Sequence, residues 1–483
     1  MKTERHKLTK QNASIAVLVK QVVQLGQLIS TNKNIFKLCQ KNKRGFISPK
    51  KPKELSNTNT FSMMEALSPM AINHDDPFRT AMAYTQTSQH QMTVKGMMPS
   101  LITSGADQAL PYLTSNKFSY KFRGESGHIK EITNEYIIVE DDKTKECDFI
   151  DIRERIRKNS DGGFYLTTKL DPVSGLKVGS KVKYNDILAY DRGSYSPSIS
   201  SNKNPQDISY NIGTIAKVAI MNTDMGFEDS CVVDEYVSEA LSTELCFLKE
   251  VNLDKNANVY NLVEPGQEIQ ANDPLLVFQD AFDEKEANEL LRKISLDQDE
   301  ISDIARKKLR SKVAGVIQDV KIYRTCELKD LSPTLRAICE KYDKRINKLK
   351  SIMKKTNIDK EYELESTGKL AQQGKLKNLD GVRIEIYTKT KDTFGSGDKL
   401  VFYQALKGVA SYVIPKNVAP YTDYHSNETV GSFLSVTGVF KRMVPSAISY
   451  GLLTKLLIEL SRQSQEDLGI KWRPIQEIMT SNK

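Results

Sequence analysis

Two periodicities divide this chain. Alternation with a period of two, broken by turn residues, runs through much of the middle, as in Tyr136-Ile137-Ile138-Val139 before the turn signal Asp161-Gly162-Gly163. Residues 206–240 read as buried β-structure, because 215–221 is apolar except for Lys217 and the acidic turn Gly226-Phe227-Glu228-Asp229-Ser230 follows. The same pattern resumes at Gly381 with Val382-Arg383-Ile384-Glu385-Ile386-Tyr387. Helical spacing appears near the N-terminus, where Ile15, Leu18, Val19, Val22, Leu25 and Ile29 share one side, at 62–66, and at 449–462. Between them, Leu335, Cys339, Tyr342, Ile346, Leu349 and Met353 alternate steps of four and three, the seam expected of a short coiled-coil hairpin.

These patterns predict an organisation. Residues 1–60 form a basic helical arm ending in a Pro/Asn-rich connector, and 61–240 a β-rich region whose Gly/Ser/Pro/Asn-rich tract at 193–205 reads as a loop. Residues 241–380 are a charged helical insertion, 381–450 return to β-structure, and 451–483 are a helix and polar tail holding the only Trp, Trp472. The expected class is α+β and β-rich, with a helical insertion interrupting one β body. A chain of 483 residues should contain roughly three domains and bury a large core.

Charge changes the picture at one end. Residues 1–60 carry 13 Lys/Arg against Glu4 and Glu54, a net +11 in a chain of net +9, so the remainder sums to −2. Blocks such as Lys41-Asn42-Lys43-Arg44 and Lys50-Lys51-Pro52-Lys53 are able to contact phosphates by counterion release, and equally able to remain a solvated arm. Six cysteines, at 39, 147, 231, 246, 326 and 339, include no C-x-x-C, so neither zinc nor a disulfide framework is expected, which suits a reducing cytoplasm. The apolar stretch at 15–29 is interrupted by Lys20, Gln21, Gln24 and Gln27, too polar for a signal peptide or membrane span.

Candidate chemistry concentrates in the last hundred residues. Gly395-Ser396-Gly397-Asp398-Lys399 is followed by seven mostly apolar residues, Lys407-Gly408, and later Gly438-Val439-Phe440-Lys441-Arg442-Met443. Cations at glycine-permitted turns within β-like sequence are what a phosphate-holding platform needs. The spacing of Lys399 and Lys407 puts both on one face of a continuous strand, although Gly408 suggests a bend; spacing alone does not separate this pair from two solvated lysines. Glu228 and Asp229 at a strand end are able to hold Mg²⁺ directly or through water, or to cap a turn. His74-Asp75-Asp76 with Arg79 and Gln89 mixes metal-like and phosphate-like residues, or is a polar turn. Asp297-Gln298-Asp299-Glu300 and Asp303 fall in a Lys/Glu-rich helical stretch and read as a solvated face. No G-x-x-x-x-G-K-[ST], H-E-x-x-H or G-x-S-x-G occurs, which removes support for self-contained NTPase, protease or esterase chemistry.

Taken in order, these segments resemble the C-terminal half of the β subunit of multisubunit DNA-dependent RNA polymerases. SMMEALSPMAINHDD at 62–76 is similar to the segment leading into the family's H-D-D, with Arg79, Met82 and Gln89 at the family's offsets. VKYNDILA at 182–189 resembles V-x-x-G-D-x-L-A with Asn185 for Gly, and KVAIM at 217–221 with Phe227-Glu228-Asp229-Ser230 resembles R-V-A-x-M…F-E-D-[SA]. Gly397-Asp398-Lys399 to Lys407-Gly408 is similar to G-D-K-x₇-K-G, and Gly438-Val439…Arg442-Met443 to G-V-P-S-R-M. The patches are collinear over about 60–450. Three departures stand out. Phe402-Tyr403-Gln404-Ala405-Leu406 replaces a G-R-H-G-N core, Phe440 and Lys441 replace Pro and Ser, and the clamp-joining C-terminal segment is missing.

The resemblance implies a double-psi β-barrel interrupted by a flap or wall insertion with a helical hairpin. It places Lys399 and Lys407 toward the RNA 3′ end and reacting phosphates, Arg442 and Arg79 toward the incoming triphosphate, Gln89 toward RNA, and Glu228 and Asp229 near a second, nucleotide-bound Mg²⁺. The β′ N-A-D-F-D-G-D loop and the N-terminal half of β are not in this chain, so the implied partners are a β N-terminal part and one or more β′-like subunits supplying the primary Mg²⁺ ligands. DNA, RNA and NTPs complete the assembly. A divided β in an Asn/Lys-rich chain most resembles the split polymerases of giant bacteriophages, working in the host cytoplasm and inactive without partners. The competing expectation is a non-catalytic nucleic-acid-binding or scaffolding protein with a degenerate polymerase fold.

Overall fold

The structure is a computed structural model that describes residues 63–70, 75, 77–87, 91–114, 118–158, 164–198, 207–280, 306–353, 368–369, 381–403, 406–422, 425–442 and 444–471. It is β-rich with few helices, the α+β class the alternation predicts. The chain divides into two units, one built from Met1–Glu125, Lys169–Thr243 and Thr393–Lys483, the other from Ser126–Thr168 and Glu244–Asp392. The basic arm at 1–60, Asp161-Gly162-Gly163, the acidic run at 297–303 and Trp472 lie outside the described residues. No helix among the described residues is long and apolar enough to cross a membrane.

The first unit is organised by a mixed five-stranded sheet. Its strands are β1 (Val218–Ile220), β2 (Ser230–Asp234), β3 (Lys399–Phe402), β4 (Leu406–Ile414) and β5 (Ser432–Leu434), in the order β1-β5-β2-β4-β3. β1 pairs with β5 and β2 with β4 in parallel, whereas β2/β5 and β3/β4 are antiparallel. Cys231, Val232 and Val233 in β2 are buried because a central strand is covered on both faces. Burial pushes the Cys231 thiol up to about 12, so it behaves as an inert apolar side chain. The expectation of buried β-structure at 215–221 fails at β1. Val218 and Ile220 are exposed because β1 is an edge strand with only β5 beside it.

A second group of strands in this unit explains one departure from the family pattern. Ile187–Asp191 lies between Ser119–Lys121 and Leu170–Pro172, and Val173, Ile187, Tyr190, Tyr195 and Ile208 form its core. The tight turn leading into it leaves Asn185 at φ +71°, the left-handed region that Gly enters freely and Asn tolerates best among the other residues. Asn for Gly therefore preserves the turn.

The second unit holds a sheet ordered Glu268–Ile269, Gly315–Arg324, Gly381–Asp392, Thr243–Asp254, Tyr165–Thr168, Arg155–Lys158. The helix Pro333–Met353 carries the four-and-three seam, but it packs on strands. Leu335 and Cys339, 0% and 2% exposed, join Val320, Ile322 and Ile384 in one cluster, with Tyr342 against it. Ile352 packs instead on Tyr136, Ile138 and Phe149 of the meander formed by Ser126–Ile132, Tyr136–Asp141 and Cys147–Asp151. The described part of this seam therefore packs helix on sheet, and the residues that would return the expected coiled-coil hairpin, 354–367, lie outside the described residues. A stripe of period 3.5 shows that one side is apolar and does not say what covers it.

Candidate functional site

The hairpin β3–β4 begins at a turn that the sequence marks clearly. Gly397 has φ +96°, and the Gly395 N–H donates to Asp398 Oδ2 at 2.8 Å, closing the turn just before Lys399. Antiparallel register sets Lys399 opposite Val409 and Val401 opposite Lys407. Opposed residues share a face and so do residues two apart, which places Lys399, Val401, Lys407 and Val409 on one side. β4 alternates cleanly, with Leu406 and Ala410 inward and Lys407 and Val409 exposed. The two lysines are thus diagonal neighbours across a hairpin rather than companions on one continuous strand. No described side chain pairs with either ammonium.

Gly408 does not bend the strand. A Cβ there would stand 2.9 Å from the Asp229 carbonyl oxygen, which also accepts from the Val409 N–H at 3.1 Å. The glycine is needed because the acidic turn runs against the strand beside Lys407. That turn is closed by Ser230, whose N–H and hydroxyl donate to the Phe227 carbonyl at 3.0 and 2.8 Å. Glu228 sits within it at φ +49°, an unfavourable conformation for a residue with a Cβ. It is pinned by the helix α1 (Val436–Phe440): a Cβ on Gly438 would come within 2.4 Å of the Glu228 carbonyl oxygen. Asn222 Oδ1 in turn holds the start of α1, accepting from the Val436 N–H at 3.2 Å.

Docking α1 on the acidic turn brings two successive cations to two successive carboxylates. Lys441 Nζ lies 3.7 Å from Glu228 Oε1, and Arg442 pairs with Asp229. Arg442 Nη1 also donates to the Lys407 carbonyl at 3.2 Å, so the guanidinium is fastened to both the acidic turn and β4. Glu228, Asp229, Lys407, Gly408, Ser435 and Arg442 line an open depression of about 250 Å³.

Other expected residues are distributed differently. Asp75 accepts from the Ser446 N–H at 3.1 Å and from the Ser446 hydroxyl, at the start of α2 (Pro445–Asp467), so it serves as a helix cap supplied from a distant segment. Arg79, on the helix Pro77–Thr85, donates to Met82 Sδ at 3.3 Å and lies 5.5 Å from the Phe78 ring. His74, Asp76, Gln89 and Met443 lie outside the described residues. Sequence reasoning missed Asn222 and Ser446, whose roles depend on segments far along the chain, and it missed Tyr403. Tyr403, at φ +49°, donates its hydroxyl to the Pro69 carbonyl and lies 4.5 Å from the Tyr450 ring. Its hydroxyl pKa is driven up by burial, so it stays a donor.

The acidic pair alone does not make a metal site. Each carboxylate already faces a cation. No group of three or more His, Cys, Asp or Glu side chains able to hold a metal occurs among the described residues.

Sheet, hairpin and helix α1 all fall in a segment with known relatives. The family described as RNA polymerase Rpb2, domain 6, matches residues 206–448, half of the chain, and this span includes the acidic turn, the paired lysines and Arg442. The segments at 62–89 and 182–189 lie outside the matched span. The chain belongs to the RNA polymerase Rpb2 domain 6 family and is a β-type subunit of a multisubunit DNA-directed RNA polymerase, a nucleotidyltransferase that assembles from several chains. No curated protein matches the chain.

Proposed function

We propose that this chain is the C-terminal part of a divided β subunit, most like the split β of giant bacteriophage polymerases, and that its hairpin holds the RNA 3′ end and NTP phosphates during transcription. The observation that carries this reading is the shared exposed face of Lys399 and Lys407, with Arg442 fastened beside it through Asp229 and the Lys407 carbonyl. Ammonium groups that face no anion among the described residues are already in position when negative charge gathers on phosphate oxygens, so little reorganisation is needed at the moment of transfer. The alternation of parallel and antiparallel pairs in the five-stranded sheet supports a double-psi barrel as the frame. Magnesium, which supplies Lewis acidity to such transfers, is held in this reading by a β′-like partner. The chain is then inactive alone. Its own contribution is to bind and orient phosphates, with Arg79 and Gln89 as further contacts to the triphosphate and RNA.

The test uses the assembled enzyme. Lys407→Ala should lower RNA extension at limiting NTP by about 100-fold, about 2.7 kcal/mol of lost charge stabilisation. Extension at the wild-type rate sinks the reading. Replacement of the family's Arg-His by Phe402-Tyr403-Gln404 favours a second reading, a scaffold that binds nucleic acid without catalysis. That reading predicts that chains copurifying with this one fail to extend RNA.

A further inference from the structure

Lys441 stands where the family pattern has Ser, and its position follows from the way α1 meets the acidic turn. The close approach of Gly438 to the Glu228 carbonyl fixes α1 against that turn, so Lys441 has no nearer anion than Glu228 among the described residues. The two neighbouring ion pairs are nevertheless unequal. Arg442 is 15% exposed and holds a second partner, the Lys407 carbonyl. Lys441 and Glu228 are 47% and 52% exposed and their charged atoms are 3.7 Å apart, the geometry of a solvent-screened pair that contributes little. A pair this weak exchanges readily when a denser anion arrives, because a polyphosphate offers several charged oxygens to a flexible ammonium.

We propose that Lys441 is an additional polyphosphate-binding cation of this site, held in reserve by Glu228 until a triphosphate draws it away. This rests on the phosphate-binding reading of the hairpin. In it, Glu228 is a competing anion rather than a metal ligand, and Asp229 positions Arg442. An extra cation at this corner compensates for the Arg and His missing from the segment between Lys399 and Lys407.

Full-length chain titrated calorimetrically with inorganic tripolyphosphate, without divalent metal and at several salt concentrations, tests this. Lys441→Ser should weaken binding about three- to tenfold and flatten its salt dependence, and Lys441→Arg should restore both. Glu228→Gln should tighten binding about two- to fivefold by removing the competitor. Lys407→Ala reports on the underlying reading: unchanged affinity there means that the hairpin is not a phosphate site. If Lys407→Ala weakens binding while Lys441→Ser does not, only the role of Lys441 is overturned. Weaker binding by Glu228→Gln, or no tripolyphosphate binding by the wild-type chain, also overturns it.

Discussion

Asp107 shows how far burial can outweigh a favourable local position. It lies in the first turn of the helix Ala106–Leu113, where a carboxylate gains from the helix dipole, yet the residue is only 2% exposed. Neither carboxylate oxygen has a well-aligned hydrogen-bond partner among the described residues. Burial raises its pKa from 3.8 to about 6, and the nearby Ser209 and Thr103 hydroxyls only soften the effect. Because the folded state holds the proton more tightly, its stabilising contribution is complete below pH 3.8 and is lost as pH rises through about 6. Asp107→Asn removes this dependence. Between pH 4 and pH 8 the stability difference should move in favour of the variant by about 2.4 kcal/mol, read from urea denaturation at the two pH values. A difference independent of pH would contradict the assignment. Nothing in the sequence marks Asp107, since an acidic residue in a first helical turn is ordinary and its burial is decided by segments far away. At Asn185 the sequence showed only Asn in the place of a Gly, and the left-handed backbone that explains the exchange came from the structure.

At the level of elements, the same substitution at two helical glycines should have opposite signs. In α1, a Cβ at Gly438 would overlap the Glu228 carbonyl, so Gly438→Ala must move the acidic turn and should cost about 1–3 kcal/mol. In α2, Gly451 is exposed and a Cβ there meets nothing within 4 Å, so Gly451→Ala should stabilise by about 0.5–1 kcal/mol through helix propensity. Thermal denaturation of the two variants checks both signs, and a stabilising Gly438→Ala would show that α1 does not rest on Glu228. The sequence made α2 legible because a 3.6-residue period over several turns has no other reading. It could not show that Tyr403 and Asp75 tie the hairpin and α2 to the 69–75 segment, since both ties join residues more than 300 positions apart. The lysine pair was visible by spacing, but its common face came from antiparallel register. The strand at Val218–Ile220 was misjudged for a related reason: apolar composition signals a strand and leaves open whether neighbours cover it.

Across the whole molecule, charge and fold are separated along the chain. The matched span at 206–448 contributes to both units, while the strongest concentration of net positive charge lies before it, in residues 1–60. The arm holds +11 of a total of +9, so removing it converts a basic chain into one of net charge −2. Non-specific affinity for nucleic acid follows phosphate neutralisation and counterion release, and a nearly neutral body with one small cationic hairpin supplies little of either. A chain lacking 1–60 should therefore bind a random-sequence duplex at least about 10-fold more weakly at low salt, with a shallower dependence of log K on log salt. Tripolyphosphate binding at the hairpin should be unaffected, because that site depends on fixed neighbours rather than on net charge. Electrophoretic mobility shifts across a salt series, paired with the calorimetric titration, separate the two contributions. Equal duplex affinity for the full-length and shortened chains would place general nucleic-acid attraction in the body, and would make the arm a contact for another subunit.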